Sequence, residues 1–107
     1  MNQKNFILND HTIKFEAALW RYDGKAAWFF ITIPKEASAW IRFVSTENRS
    51  AWGSVPVRVT IGGSDWQTSV FPDSKIGGYL LPVKAAIRKR EGLEEGMQAL
   101  VTLTLMG

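Results

Sequence analysis

The sequence predicts a mainly β domain, a small closed or partly split barrel of six strands with two short helices. Apolar and polar residues alternate along several short segments, which is the pattern of half-buried strands. Two further segments with helical spacing follow a proline. Six strands in an open sheet would leave two edges exposed, and closure into a barrel removes them. The 107 residues are enough for one such domain and too few for two.

The first half of the chain predicts a hairpin. Alternating apolar residues indicate a strand over 12–20, and a second apolar segment covers 26–33. Asp23 and Gly24 between them favour the positive φ of a tight turn, so the two strands should pair antiparallel. The run 28–31 is apolar on both faces, so both of its faces require a cover.

Each predicted helix begins at a proline. Pro34 should end the second strand and begin a helix through Val44, because proline has no N–H to lose in the first turn. Pro82 repeats this pattern before a helix over 83–90, and Gly92 is suited to a left-handed cap. The two proline junctions are compatible with an internal repeat and equally with chance similarity.

The second half predicts four more strands, over 55–61, 65–71, 76–81 and 98–105. Gly62 and Gly63 form the turn between the first two of these strands, and neither face of the strand 65–71 is plainly apolar. Five aromatic residues lie inside predicted strands or helices and are expected in the core: Trp28, Phe29, Phe30, Trp40 and Phe43. Residues 1–11 are expected to form a flexible N-terminal segment, and residues 12–107 a single barrel domain.

Composition excludes several kinds of site. The chain has no cysteine, which rules out disulfides, iron–sulfur clusters and a cysteine nucleophile and fits a reducing compartment. The single histidine, His11, precedes the first strand, where a surface role is favoured over catalysis. The turn residues Asp23, Asp65 and Asp73 are expected to accept backbone N–H bonds. We therefore predict no catalytic residue, no metal site and no cofactor.

Net charge gives little support to nucleic-acid binding. The formal charge is +3. The nearest approach to a cationic cluster comprises Lys84, Arg88, Lys89 and Arg90. Glu91, Glu94 and Glu95 follow it directly, so a solvated helix face is favoured over a phosphate site. No segment has the ~20 apolar residues of a membrane span, and residues 1–5 lack a signal peptide's apolar centre, so a cytoplasmic protein is expected.

Two tryptophans fall outside the strongly apolar segments and suggest a binding groove. Trp52 lies in a polar loop, and Trp66 begins a strand rich in hydrogen-bonding side chains. Together with Arg58, Lys75 and Tyr79 they could line a groove for a flat or anionic ligand. The alternative is that these rings pack at the barrel rim. The two alternatives differ in whether Arg58 and Trp66 share a face.

Several sequence segments together resemble a family of bacterial and archaeal domains of unknown function. The resemblance runs from about Thr12 to Leu105 and rests on five stretches: residues 15–17, 28–36, 52–59, 77–84 and 92–96. It implies a double-split β-barrel, which related chains sometimes join to a bacteriocin-protection domain of the YdeI or OmpD-associated type. The C-terminal Gly-Leu-x-x-Gly turn is also similar to swapped-hairpin regulators, although Met97 stands where those often carry aspartate.

The functional expectation is a non-catalytic binding module for a small ligand or a partner protein. A small enzyme of unknown reaction and a DNA-binding regulator similar to the swapped-hairpin barrels are the alternatives. Nucleic acid is disfavoured as a partner, no membrane is expected, and the protein is expected to be a monomer or a homodimer.

Overall fold

The computed structural model describes residues 6–24, 27–46 and 53–106. Seven strands and two helices follow one another along these residues. In chain order they are β1 (Phe6–Ile7), β2 (Thr12–Arg21), β3 (Phe29–Thr32), α1 (Lys35–Val44), β4 (Val55–Ile61), β5 (Ser64–Asp73), β6 (Gly78–Pro82), α2 (Ala85–Glu91) and β7 (Gln98–Leu105).

Six of the strands close into an antiparallel barrel in the order β2-β3-β6-β5-β4-β7, and β7 pairs back onto β2. Two long strands, β2 and β5, make the closure possible. The first part of β2 pairs with β7 and its end pairs with β3. Likewise, β5 pairs first with β4 and then, from Phe71 to Asp73, with β6. The barrel is therefore split at two strands, and the predicted fold class is confirmed.

The core lies inside the barrel and follows the strand alternation. Strand β4 shows the pattern most clearly, because Val55, Val57, Val59 and Ile61 are buried while Pro56 and Arg58 are exposed. Strand β7 buries Ala99, Val101 and Leu103 in the same way. Among the fully buried side chains, the largest that share this interior are Tyr79, Phe15, Ile13, Leu19, Ile31 and Ile33.

Two aromatic residues expected in the core are on the surface. Trp28 is 54% exposed and Phe43 is 83% exposed. Trp28 precedes β3 and Phe43 lies on the outer side of α1, so neither points into the barrel. Trp40 and Phe29 are partly buried and pack against the core. Phe30 is also only partly buried, because its neighbour Ile31 takes the inward position.

The helix starts depart from the proline prediction. Pro34 is the N-cap of α1, immediately before its first helical residue. Pro82 is the last residue of β6, where it pairs with Phe30, and Lys84 is the N-cap of α2. Pro82 therefore ends a strand and does not begin a helix. Gly92 has the expected left-handed conformation, with φ 64°.

The two halves of the barrel repeat each other in topology. Each half contributes a long strand, a short strand, a helix and a further strand: β2-β3-α1-β4 and β5-β6-α2-β7. The Ile33 N–H donates to the Tyr79 carbonyl and the Val83 N–H donates to the Phe29 carbonyl, both at 3.0 Å. Ile33 therefore corresponds to Val83 and Tyr79 to Phe29, so Pro34 corresponds to Lys84. The halves are related, but their prolines do not occupy equivalent positions.

Part of the N-terminal segment joins the sheet. Within the segment 1–11, strand β1 pairs with β2 through Phe6 and Ile7, while residues 1–5 lie outside the described residues.

Among the helices of the described residues, none has the length and apolar character that a membrane crossing requires.

We predict that Ser38→Ala lowers the free energy of unfolding by about 1–3 kcal/mol. The buried Ser38 hydroxyl donates to the Ile33 carbonyl and accepts from the Tyr79 N–H, each at 3.1 Å, so the substitution leaves two buried backbone groups without a partner. Urea unfolding measures the change.

Ser45 offers a matched control at the other end of α1. Its hydroxyl is buried and has no hydrogen-bond partner among the described residues, so Ser45→Ala should be neutral or stabilising. Equal losses for the two substitutions would contradict the role assigned to Ser38.

Candidate ligand-binding site

The outer surface of one part of the barrel is strongly aromatic. The small sheet, formed by β3, β6 and the ends of β2 and β5, directs Leu19, Ile31 and Leu81 inward. Because successive side chains of a strand point to opposite faces, the residues next to these three point outward. We call five of the rings on this side the aromatic face: Trp20, Tyr22, Trp28, Phe30 and Phe71.

Ring contacts hold the aromatic face together. The Trp28 and Phe30 rings are stacked, with centroids 6.1 Å apart and planes at 8°. Trp20 packs on Phe30 from the neighbouring strand at 5.4 Å, and Tyr22 meets Phe30 edge-on at 6.4 Å. The Trp20 indole N–H donates to Thr32 Oγ1 at 2.9 Å. These contacts leave Trp28, Tyr22 and Phe71 about half exposed, at 54%, 49% and 46%.

A shallow groove runs over this face. The aromatic groove has a volume of about 400 Å³ and is lined by all five rings together with Asp73, Leu80 and Pro82. Half-exposed aromatic rings gathered in one place are a candidate binding surface.

A second cavity adjoins the aromatic groove and shares Trp28, Phe71 and Pro82 with it. This basic pocket has a volume of about 520 Å³, and Lys84 and Arg88 are the charged residues in its described lining. It lies between the start of α2 and the stretch of β5 that carries Trp66, Gln67 and Thr68.

The split of β5 creates the basic pocket. Over residues 64–70 this strand pairs with β4 on one side, and β6 joins its other side only from Phe71 onward. Among the described residues, no strand covers the second edge of β5 before that point. In the first half of the barrel, the corresponding edge of β2 pairs with β1 at Ile13 and Lys14. The pocket therefore lies along the part of β5 whose second edge is not covered by a strand among the described residues.

Arg88 is held in a fixed orientation at this pocket. Its Nε–H donates to the Val83 carbonyl at 3.1 Å, and its guanidinium carbon lies 3.8 Å from the centroid of the Phe29 ring. This distance is well within the range of a cation–π contact. The cluster predicted as a solvated helix face is thus divided: Arg88 is partly buried at the pocket, whereas Lys84, Lys89 and Arg90 are exposed.

The structure separates the residues of the groove predicted from the sequence. Strand register places Val59 opposite Trp66 and Arg58 opposite Gln67. Trp66 points inward and is 8% exposed, whereas Arg58 is on the outer surface, where its Nε lies 2.9 Å from Asp65 Oδ1. Arg58 and Trp66 therefore lie on opposite faces.

The remaining predicted site residues do not restore that groove. Tyr79 is buried in the core at 1% exposure, and Lys75 lies exposed in the turn before β6. Trp52 lies outside the described residues. The four described residues of that set therefore do not line one groove together, because Trp66 and Tyr79 are buried while Arg58 and Lys75 are exposed. Trp66 keeps one link to a cavity, because it lines the basic pocket.

His11 and Asp73, which the sequence analysis weighed for catalysis, make hydrogen bonds typical of turns. His11 is exposed, and its backbone N–H donates to Asn9 Oδ1 at 2.8 Å. Asp73 accepts the Lys75 N–H at 2.9 Å, as the turn prediction for this carboxylate requires. Within the described ranges, no group of three or more acidic or histidine residues is arranged to hold a metal ion.

Sequence reasoning missed Trp28 and Arg88 as site residues. A signal for Trp28 was present in the run 28–31, which is apolar on both faces and was expected to be covered on both. The barrel interior covers one face, and the outer face stays open among the described residues. Arg88 was noticed only as one of four cations weighed as a phosphate site, and its contact with Phe29 joins distant segments that the sequence does not bring together.

Comparison with known proteins identifies a family. A family model described as "Domain of unknown function (DUF1905)" matches residues 15–103, from β2 into β7. The match covers most of the chain, which therefore belongs to this family. No curated protein matches the chain significantly.

Proposed function

We propose that this member of the domain-of-unknown-function family DUF1905 is a non-catalytic binding module that holds a small planar ligand against Trp28. The observation that supports the proposal most is the position of Trp28, a half-exposed indole on the border of two adjoining cavities. Trp28 is backed by Phe30, so its plane is fixed before any ligand arrives. A prearranged ring surface reduces the ordering cost of binding.

A small ligand is favoured because the cavity is concave and of ligand size. Small-molecule sites have volumes of about 300–1,000 Å³ and combine apolar walls with a few polar groups. The basic pocket has about 520 Å³, apolar walls from Trp28, Phe29 and Phe71, and hydrogen-bonding side chains from Gln67 and Thr68. A planar aromatic compound matches the wall that Trp28 provides.

We add three proposals about context. The resemblance to bacterial and archaeal domains supports the prokaryotic origin and the domain fusion of relatives, and the absence of cysteine supports a cytoplasmic location. The chain acts in the cytoplasm of a prokaryote, its relatives include proteins with an attached bacteriocin-protection domain, and its ligand is a small molecule in place of a partner protein. The choice of a small molecule rests on the concave basic pocket together with the aromatic groove beside it, and the groove alone would not support it.

We predict that 2-naphthoate, a planar aromatic probe, binds at Trp28 and that Trp28→Ala weakens its binding about tenfold, which corresponds to about 1.4 kcal/mol. Titration followed by ¹H–¹⁵N NMR measures the affinity and reports each indole N–H. The Trp28 indole signal should shift on addition of the probe. The Trp40 signal should not, because Trp40 lies on α1, outside both cavities.

Phe43→Ala is the control variant, since Phe43 is an exposed aromatic residue that lines neither cavity. It should leave the affinity unchanged. The proposal fails if the probe shifts no signal near Trp28. It also fails if Trp28→Ala, like Phe43→Ala, binds the probe as tightly as the original chain.

A further inference from the structure

Arg88 has unused hydrogen-bonding capacity at the basic pocket. A guanidinium group carries five N–H donors, and the structure gives Arg88 a single hydrogen bond among the described residues, from Nε to the Val83 carbonyl. Its guanidinium carbon also lies 3.8 Å from the centroid of the Phe29 ring, and the two contacts together restrain the group. The terminal nitrogens are the part of the side chain that remains for a ligand. Such a prearranged guanidinium edge matches the two oxygens of a carboxylate or phosphate.

The internal repeat shows that backbone support does not require an arginine here. Ser38 stands at the position in α1 that corresponds to Arg88 in α2, and its hydroxyl donates to the Ile33 carbonyl as Arg88 donates to that of Val83. A serine therefore performs the same structural task in the first half. The extra length and charge of Arg88 are what distinguish the second half.

The same comparison shows that the described surroundings of the two helices differ. Gly78 corresponds to Trp28, and a Cβ atom at Gly78 would lie 2.9 Å from Ser38 Oγ. The backbone of β6 and the serine of α1 are thus packed closely together. At the equivalent place beside α2, the Trp28 indole and Arg88 border a cavity of about 520 Å³ instead.

We infer that the basic pocket selects planar aromatic compounds that carry an anionic oxygen group, a carboxylate or a phosphate. Arg88 binds the anionic group while the ring lies against Trp28, and Lys84 adds positive charge at the rim. The inference rests on the proposed function, because it specifies the ligand class of the same site. It is supported by charge complementarity, since the described lining of the pocket carries two cations and no acidic residue.

Three probes with the same ring system and different charge test the inference. They are 2-naphthoate, 2-naphthamide and 2-naphthylmethylammonium, titrated by ¹H–¹⁵N NMR at one low salt concentration. We expect the carboxylate to bind about tenfold more tightly than the amide and the ammonium compound to bind most weakly. This comparison uses the unmodified chain, so it does not depend on whether any variant folds.

Substitutions then assign the preference to Arg88. Arg88→Gln should weaken 2-naphthoate about tenfold and leave 2-naphthamide within about twofold of its original affinity. Arg88→Lys keeps the charge but lacks the planar guanidinium group, so its affinity for 2-naphthoate should lie between those of the original chain and Arg88→Gln. Arg42→Gln is the control, because Arg42 also lies over an aromatic ring, 5.6 Å from the centroid of Tyr79, but lines neither cavity.

Each outcome separates the inference from the proposed function. If all three probes bind equally at Trp28, the inference is overturned and the proposed function stands. If 2-naphthoate is preferred but Arg88→Gln retains that preference, the assignment to Arg88 is overturned. If no probe binds, the proposed function fails and the inference fails with it.

Discussion

Phe15→Ala is expected to lower the free energy of unfolding by about 3–5 kcal/mol. Phe15 is fully buried in β2, pairs with Val101 of β7, and belongs to the core cluster inside the barrel. Its removal loses apolar burial and leaves a cavity between strands whose hydrogen bonds limit relaxation. Because a domain of this size is stable by only about 5–15 kcal/mol, the variant should be close to unfolding at raised temperature.

Phe43→Ala provides the matched comparison, since it deletes the same side chain at a site that is 83% exposed. Its free energy of unfolding should stay within about 0.5 kcal/mol of the original value. Urea unfolding of both variants by circular dichroism measures the difference. A change below about 1 kcal/mol for Phe15→Ala would mean that the barrel interior is not packed around this ring.

The fold class could be predicted because it depends on local patterns. Alternation along β4 and β7 and the turn at Gly62 and Gly63 are each contained in a few consecutive residues. The start of α2 was placed wrongly because Pro82 is compatible both with a helix start and with the end of a strand. Pairing with Phe30 decides between these, and pairing is a property of two distant segments.

The site was harder to predict because it depends on which face of each strand is inward. Arg58 and Trp66 lie near each other along the hairpin, and a shift of one residue in register decides whether they share a face. The turn places Ile61 opposite Ser64, which directs Trp66 inward and Arg58 outward. Aromatic composition identified the type of residue that lines the cavities. The roles of Trp28 and Arg88 could not be predicted, because only the three-dimensional structure brings these two residues to one cavity beside β5 and α2.

The contact between α2 and the β4–β5 turn leads to the second large expected effect. The Glu91 carboxylate at the end of α2 accepts the hydroxyl of the fully buried Ser64 and the N–H of Gly63, the latter at 3.4 Å. Arg90 Nη1 donates to the same hydroxyl at 3.3 Å. This contact attaches the helix to the turn, and the carboxylate lies directly against Gly62.

Gly62→Ala should therefore lower the free energy of unfolding by about 2–4 kcal/mol. Gly62 has φ 58°, where a side chain costs about 1–2 kcal/mol, and its new Cβ atom would overlap the Glu91 carboxylate and disturb its charge-assisted hydrogen bonds. Gly92→Ala isolates the first contribution, because Gly92 has φ 64° and no atom within 4 Å of an added Cβ, so it should lose only the backbone part. Combining Gly62→Ala with Glu91→Ala should cost less than the sum of the two single substitutions, since the overlap is then absent. Urea unfolding of the four variants measures these differences, and equal losses for Gly62→Ala and Gly92→Ala would contradict the prediction, because the Glu91 carboxylate would then move aside at little cost.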